Sequence, residues 1–410
     1  MSKVLFFSLP LQGHTNPSLP LVKELIRRGE EVTYYSLEPL RSAIEDTGAT
    51  FRSYGASYEP LPPPDNAFDG MSRVIIHRSP KILAQLLPEV RDFQPDYILH
   101  DALALWGNQF GQILGVPTVC STTTFVLGTR MWLSAPSMLP ELFKERWSAR
   151  KQVSLARNIA RQLQETYHVK KPSIYEVNVN FGDLTLVYTS KFFHPFSNTF
   201  DSSVKFVGPS ILPRPEAPAF PFDQLTGSPL IYVSLGTLFT NHLPFFRACV
   251  EAFAESKYQV VMSIGQSVSL NDLGPIPTNF IVQASVPQLE ILQQASLFIT
   301  HGGMNSASEA MYYGVPLLVI PQAQDQFYVA KRVTKLKVGN MLFMKEVNAQ
   351  HLRQKAGTIL ADPVYAQNSA KIGVTFHEAG GYMRAADEIM TLKKSLGISQ
   401  ARSGHRTLTV

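Results

Sequence analysis

Only two cysteines, Cys120 and Cys249, stand in a chain of 410 residues, and they lie far apart. Two distant thiols make neither a metal-ligand cluster nor a disulfide framework. Such sparing use of cysteine points to a reducing, cytoplasmic setting. Long apolar runs are also missing. No stretch approaches about 18 uninterrupted apolar residues, so no membrane-spanning helix is expected. The apolar run at residues 4–11 is too short for a secretory leader and contains Pro10. Charged residues are scarce, at 17%, and the net charge is only +5. Lys and Arg are spread along the chain apart from small groups such as Arg27-Arg28 and Lys170-Lys171. A nucleic-acid groove needs a denser basic patch, so no nucleic-acid partner is expected. The chain has no G-x-G-x-x-G, which disfavours a dinucleotide-dependent dehydrogenase, and no G-x-S-x-G, which disfavours a serine hydrolase.

What is present is an ordinary globular composition, 45% apolar, in a chain long enough for two domains. The first half alternates strands and helices. Residues 4–8, 31–36, 97–100 and 116–120 read as strands, and residues 17–28 and 103–114 as helices. Asn16 is expected to cap the first helix, Pro17 suits its first position, and Gly29 ends it. This β-α-β order implies a parallel sheet with helices on both faces. A stretch with five prolines, residues 208–221, then interrupts the pattern and reads as an interdomain linker, extended to residues 208–226. The alternation restarts with strands at 231–234, 259–264, 280–282, 297–300 and 317–320. The expected fold is α/β: two doubly wound, Rossmann-like domains, residues 1–207 and 227–381, facing each other across a ligand cleft. Residues 60–69 and 136–151 fit the alternation poorly and are candidate binding segments. The polar tail, 399–410, is expected to be disordered.

Residues 285–326 carry the most information. The strand at 297–300 runs into a turn, His301-Gly302-Gly303, followed by a helix over 304–313 and a strand at 317–320 closed by Pro321. A helix that starts after a glycine-rich turn presents backbone N–H groups and a positive dipole end, which suits a phosphate. Asn305, Ser306 and Glu309 can share one face of that helix. A second acid, Asp325, follows the next strand.

This segment resembles the nucleotide-sugar signature of the UDP-dependent family 1 glycosyltransferases, with the closest likeness to the bacterial macrolide and flavonoid enzymes. The likeness covers nearly the whole chain. It is carried by Pro287-Gln288, His301-x-Gly303-x-Asn305-Ser306, Glu309, Gly314-Val315-Pro316, Pro321 and Asp325-Gln326 at fixed spacings. It implies the GT-B architecture, with a C-terminal helix (382–398) crossing back to the first domain. It also implies that Ser234, Gly236 and Thr237 face the phosphates, together with His301, the amides near Gly303, Asn305 and Ser306. Glu309 is placed to accept both ribose hydroxyls. Gln288 and the backbone at Val286 are expected to meet the uracil edge. Plant relatives usually carry a base-stacking Trp at the position of Val286. Asp325 and Gln326 match the pair that contacts the sugar. Metal-dependent sugar transferases usually hold a divalent ion through Asp-x-Asp, a spacing this chain lacks. The expectation is therefore no cofactor and no metal.

Residues 11–17 lie after the first strand, at the carboxyl end of the sheet, where α/β ligand sites form. His14 within them can take a proton near neutral pH. A general base needs an orienting partner, and Asp101 at the end of another strand is the candidate, a pairing the family also uses. His100 is the adjacent alternative, but its side chain should face the other way. Phe68, Met71, Ile75, Phe125, Met131 and Trp132 are candidates for an apolar acceptor pocket. The expected reaction is transfer of a hexose, glucose, from a UDP-sugar to a hydroxyl of a lipophilic small molecule, with inversion to a β-glycoside. The expected assembly is a monomer or weak dimer. The alternative is a nucleotide-sugar binding protein or an epimerase on the same fold.

Overall fold

The structure, a computed structural model, describes residues 1–58, 70–126, 150–172, 180–214, 218–237 and 241–398. The chain divides into two compact units. One comprises Met1–Tyr188, Phe196–Ser210 and Gly380–Val410, the other Thr189–Pro195 and Ile211–Ala379.

In the first unit the strands are β1 (Lys3–Phe7), β2 (Glu31–Ser36), β3 (Thr50–Ser53), β4 (Tyr97–Asp101), β5 (Thr118–Thr122), β6 (Leu184–Val187) and β7 (Val204–Phe206). They pair in parallel in the order β3-β2-β1-β4-β5-β6-β7. The central strands are near-continuous apolar runs because both faces are covered. On one face Leu5, Phe7 and Ile98 pack with Trp106 and Phe110 and with the Ile75–Val90 side chains of the helix Gly70–Phe93. On the other, Val4, Phe6, Tyr34 and Leu99 pack with Leu21, Val22 and Leu25 and with Ala385, Ala386 and Ile389.

The last three belong to the C-terminal helix Gly381–Ser395, which therefore builds the core of the first unit. Its buried Lys393 pairs with buried Glu30, and Tyr97 donates its hydroxyl to the same carboxylate at 3.2 Å. Arg28 joins Glu24 to Asp387 at 2.6 and 2.7 Å.

The second unit holds β8 (Leu230–Ser234), β9 (Gln259–Ser263), β10 (Phe280–Gln283), β11 (Ala295–Thr300), β12 (Leu317–Val319) and β13 (Gly339–Met341), again all parallel, in the order β10-β9-β8-β11-β12-β13. In each sheet the chain winds outward in both directions from a central pair, β1/β4 and β8/β11. Ligands of such sheets bind beyond the carboxyl ends of the strands at this switch point. The loops after β1 and β4, and those after β8 and β11, are therefore where chemistry is expected.

Several sequence expectations need correction. Asn16 does not cap the first helix. Gln12–Thr15 is already one helical turn, Asn16 has helical dihedrals (φ −52°, ψ −45°), and the main helix runs Ser18–Arg27. Gly29 does end it, at φ +91°. Arg150–Tyr167 is a helix, so residues 150 and 151 are not irregular. Ile75 is buried, in the core cluster that also holds Tyr54 and Tyr58. Phe125 is also buried. Phe68, Met131 and Trp132 lie outside the described residues, as do residues 60–69, most of 136–151 and the tail 399–410. Met71 falls in the helix Gly70–Phe93, its side chain outside what is described. Among the described residues no helix is long and apolar enough to cross a membrane.

Candidate active site

At the first switch point, β1 ends at Phe7 and the chain turns through Leu11, extended at φ −123° and ψ 139°, into the single turn Gln12–Thr15. The His14 amide donates to Leu11 O at 2.9 Å, which anchors the turn. Ser18 strengthens it, donating to Thr15 O at 2.7 Å while lying 2.8 Å from the Tyr34 hydroxyl. These contacts fix the ring of His14 over the end of β4. There His14 Nδ1 lies 2.8 Å from Asp101 Oδ2, with the two side chains 15% and 2% exposed.

Asp101 Oδ1 accepts the Leu103 amide at 2.8 Å, so both carboxylate oxygens are engaged and the group cannot swing away. Thr123, just after β5, places its hydroxyl 3.2 Å from the same His14 nitrogen. An ionised carboxylate only accepts. It therefore selects the tautomer with the proton on Nδ1, and Nε2 becomes the proton acceptor.

His100, one residue earlier, points to the other face as the strand pleat requires. It is fully buried, with Nδ1 3.1 Å from Asp101 O and 3.3 Å from the Asn180 amide nitrogen. Burial pulls its pKa down to about 4. A Cβ at Gly107 would fall 2.4 Å from His100 Cβ, so the helix Leu105–Leu114 closes directly over this ring.

In the second unit, the loops after β8 and β11 meet on one imidazole. Gly236 (φ +79°) and Gly303 lie against His301: a Cβ on either would come within 2.5 Å and 2.4 Å of the ring. Gly302, at φ +82°, would drive a Cβ to 2.4 Å from Val319 Cγ1. Gly236 and Gly303 thus let two backbone turns close around a histidine, and Gly302 lets the second of them pass Val319. Enclosure lowers the His301 pKa to about 4, so the ring is neutral at physiological pH. Ser234, buried, accepts the Gly236 amide at 3.2 Å and braces the first turn. Thr237, at the end of that turn, is exposed.

The helix Met304–Tyr312 starts after Gly303 with no side-chain cap, and its first backbone bond is Ala307 N–H to Gly303 O at 3.0 Å. The amides before Ala307 have no acceptor within the helix, so the turn presents donors. Asn305 and Ser306 are half-buried on this first turn.

One turn further, Glu309 is only 7% exposed and is held from two sides. Arg214 Nη2 donates to Oε1, and Gln288 Nε2 donates to Oε2 at 2.5 Å. Gln288 Nε2 also reaches Ser306 Oγ at 3.4 Å, and its carbonyl accepts the Tyr232 hydroxyl at 3.1 Å. Tyr232 is stacked on Phe298, ring centroids 4.6 Å apart at 8°. Val286 is buried.

After β12, Gln326 is buried with its Oε1 accepting the amides of Gln322 (2.8 Å) and Ala323 (3.1 Å), so this oxygen caps the helix Gln324–Lys335. Asp325 beside it is exposed.

The structure thus gathers His14 with Asp101 in one unit. In the other it gathers Ser234, Gly236, His301 and Gly303 in one cluster, and Gln288, Ser306 and Glu309 in a second. Sequence reasoning missed Thr123, Arg214 and Tyr232. Thr123 had a signal, since it follows a strand beside β4 and so lies on the same sheet edge. Arg214 had none, being one basic residue in a proline-rich stretch. Among the described residues no group of three or more His, Cys, Asp or Glu is placed to hold a metal ion.

Comparison with known proteins places this geometry in context. The C-terminal domain family of the erythromycin biosynthesis protein CIII-like proteins matches residues 247–376. The chain is 35% identical over 402 residues to the uncharacterized UDP-glucosyltransferase YojK of Bacillus subtilis (strain 168), covering 96% of this chain and 98% of that protein. It is 33% identical over 396 residues to the NDP-glycosyltransferase YjiC of the same organism, with the same coverage of 96% and 98%. Among solved structures, the glycosyltransferase of kitacinnamycin superposes with a TM-score of 0.83 at 29% identity, over 95% of this chain and 98% of that one.

Proposed function

The chain belongs to the family 1 glycosyltransferases of GT-B fold, and we propose that it transfers glucose from UDP-glucose to a hydroxyl of a lipophilic natural-product-type acceptor, inverting the anomeric configuration. The observation that carries the catalytic part is the 2.8 Å contact between His14 Nδ1 and Asp101 Oδ2. It leaves Nε2 as the acceptor for the proton of the attacking hydroxyl, while the carboxylate stabilises the imidazolium that results.

The acceptor oxygen attacks the anomeric carbon as its O–H proton passes to His14 Nε2. The bond to the diphosphate oxygen breaks, and UDP departs with the bonding pair. Displacement from the opposite side turns an α-linked donor into a β-glycoside. The leaving diphosphate is stabilised by the first-turn amides of the helix Met304–Tyr312, by neutral His301 and by the Ser234–Thr237 turn. Glu309 accepts the ribose hydroxyls, Gln288 and the backbone at Val286 face the base, and Asp325 with Gln326 faces the sugar. Amides and an imidazole supply this stabilisation without a metal, a reading supported by the absence of Asp-x-Asp from the sequence. Glucose and the uridine nucleotide are taken from the naming of YojK as a UDP-glucosyltransferase. The acceptor class follows the erythromycin and kitacinnamycin relatives. The proposed setting is the cytoplasm, where nucleotide sugars are made.

The test is nucleoside diphosphate release across a panel of UDP- and TDP-sugars with phenolic and macrolide acceptors, products being identified by mass spectrometry and NMR. We expect a β-glycoside, unchanged turnover after dialysis against EDTA, and a loss of at least about a hundredfold in His14→Ala, the usual weight of a general base. Near-normal turnover of that variant would remove His14 from this role. An α-glycoside would contradict inversion, and magnesium-restored activity would contradict metal independence.

A further inference from the structure

The carboxylate of Glu309 does not stand alone, and its main partner comes from far away in sequence. Arg214 is flanked by Pro213 and Pro215. A residue before proline is restricted away from helical backbone, which narrows the directions its side chain can take. Its guanidinium, 37% exposed, donates to Glu309 Oε1, while Gln288 Nε2 donates to Oε2 at 2.5 Å. Gln288 is itself locked, giving its two amide N–H groups to Glu309 and Ser306 and accepting from Tyr232. A carboxylate has about four acceptor positions, two on each oxygen. Two are taken here, one per oxygen, and one remains on each.

We infer that Arg214 is a positioning residue: it orients Glu309 so that one acceptor lobe on each carboxylate oxygen meets the two adjacent hydroxyls of a ribose, and it thereby sets the preference for ribonucleotide over 2′-deoxyribonucleotide diphosphates. This rests on the reading of Glu309 as the ribose contact. The geometry favours positioning over simple occupancy. A guanidinium that merely filled the site would leave Glu309 without its second anchor once a ligand displaced it. With Gln288 on the other oxygen, both anchors and both ribose hydroxyls are accommodated together.

The experiment is calorimetric titration of the full-length protein with UDP and with 2′-deoxy-UDP. The variants are Arg214→Ala, Arg214→Gln, Arg214→Lys, Glu309→Gln and the double variant Arg214→Ala/Glu309→Gln. Arg214→Ala should weaken UDP about tenfold, the weight of one charge-assisted hydrogen bond. It should weaken 2′-deoxy-UDP much less, so that the ratio of the two constants falls toward one. Arg214→Lys should recover part of the ratio, and Arg214→Gln should fall between Lys and Ala. On the Glu309→Gln background, Arg214→Ala should have no further effect, because Arg214 acts through that carboxylate. If Arg214→Ala, or Arg214→Gln should the alanine variant not fold, binds UDP as tightly as the parent or tighter while Glu309→Gln weakens it, Arg214 is a bystander or a competitor and the inference fails. Unchanged UDP affinity in Glu309→Gln would overturn the ribose reading itself.

Discussion

Replacing Asp101 by Asn removes one charge and adds two hydrogens at the most constrained point of the site. In the native arrangement Oδ1 accepts the Leu103 amide at 2.8 Å and Oδ2 faces His14 Nδ1 at 2.8 Å. An asparagine has only one acceptor oxygen. If that oxygen keeps the Leu103 amide, the NH2 group points at His14 Nδ1, which must then accept. The proton moves to Nε2, and the ring can no longer take one from a substrate hydroxyl. If the amide flips, the productive tautomer returns but the NH2 group opposes the Leu103 N–H, leaving buried donors unsatisfied at about 1–3 kcal/mol. That limits the productive form to a fraction of about one-fifth to less than one-hundredth. The imidazolium also loses a charged partner for a neutral one, worth about 1–2 kcal/mol more. Together these predict a fall in kcat of about thirtyfold to several-thousandfold. The same exchange costs about ten-thousandfold in the Ser-His-Asp triad of serine proteases, where the wrong tautomer is likewise the cause. The assay is single-turnover product formation at saturating donor, with UDP affinity measured in parallel. The residues proposed to bind the nucleotide lie in the other unit, so UDP affinity should stay within about twofold. Turnover within about threefold of the parent would refute the tautomer argument.

Gly236→Ala combines a left-handed backbone, φ +79°, with a Cβ only 2.5 Å from the His301 ring. Strain of about 1–3 kcal/mol there should displace His301 and weaken UDP by about tenfold or more; an unchanged constant by calorimetry would contradict the packing. His100 and His194 are both buried with pKa values lowered to about 4, in each case mainly by loss of solvation. Between about 6.5 and 4 the unfolded chain binds protons that these folded rings refuse, so stability should fall as pH falls through that window, each ring adding up to about 1.4 kcal/mol per pH unit. A urea midpoint flat from pH 7 to pH 5 would count against it. Lys393→Met leaves Glu30 buried and without its cation, at about 3–5 kcal/mol. The expected result is early urea unfolding of the first unit, followed by Trp106 fluorescence, and a loss under about 1 kcal/mol would show that Glu30 finds another partner.

The strands that sequence reasoning found include the central ones whose apolar runs are buried on both faces, β1, β4, β8 and β11. Those it missed are short or mixed. Val204–Phe206 and Gly339–Met341 have three residues each and no informative alternation. They are strands because a neighbour offers a ladder, and in β13 Gly339 is required, since a Cβ there would fall 1.8 Å from Leu317 O. The helix Gly70–Phe93 carries Pro80 and Pro88 inside it, which hide it from a reading that treats proline as a breaker. Its Ile82, Leu83, Leu86 and Val90 show the apolar face that keeps it helical.

The spaced motif from Pro287 to Gln326 identified the family on its own, because close turns, glycines and polar side chains on one helix are local features written in neighbouring residues. His14 and Asp101 could be named from the strand ends they follow. Their pairing at 2.8 Å, and with it the choice of imidazole tautomer, required the β1/β4 adjacency that only the folded sheet creates. Arg214 beside Glu309 was decided by tertiary structure alone, whereas Gln326 turns to amides only three and four residues away, a local contact. A hydrogen bond between residues 95 positions apart leaves no periodic or local trace in the chain that encodes it.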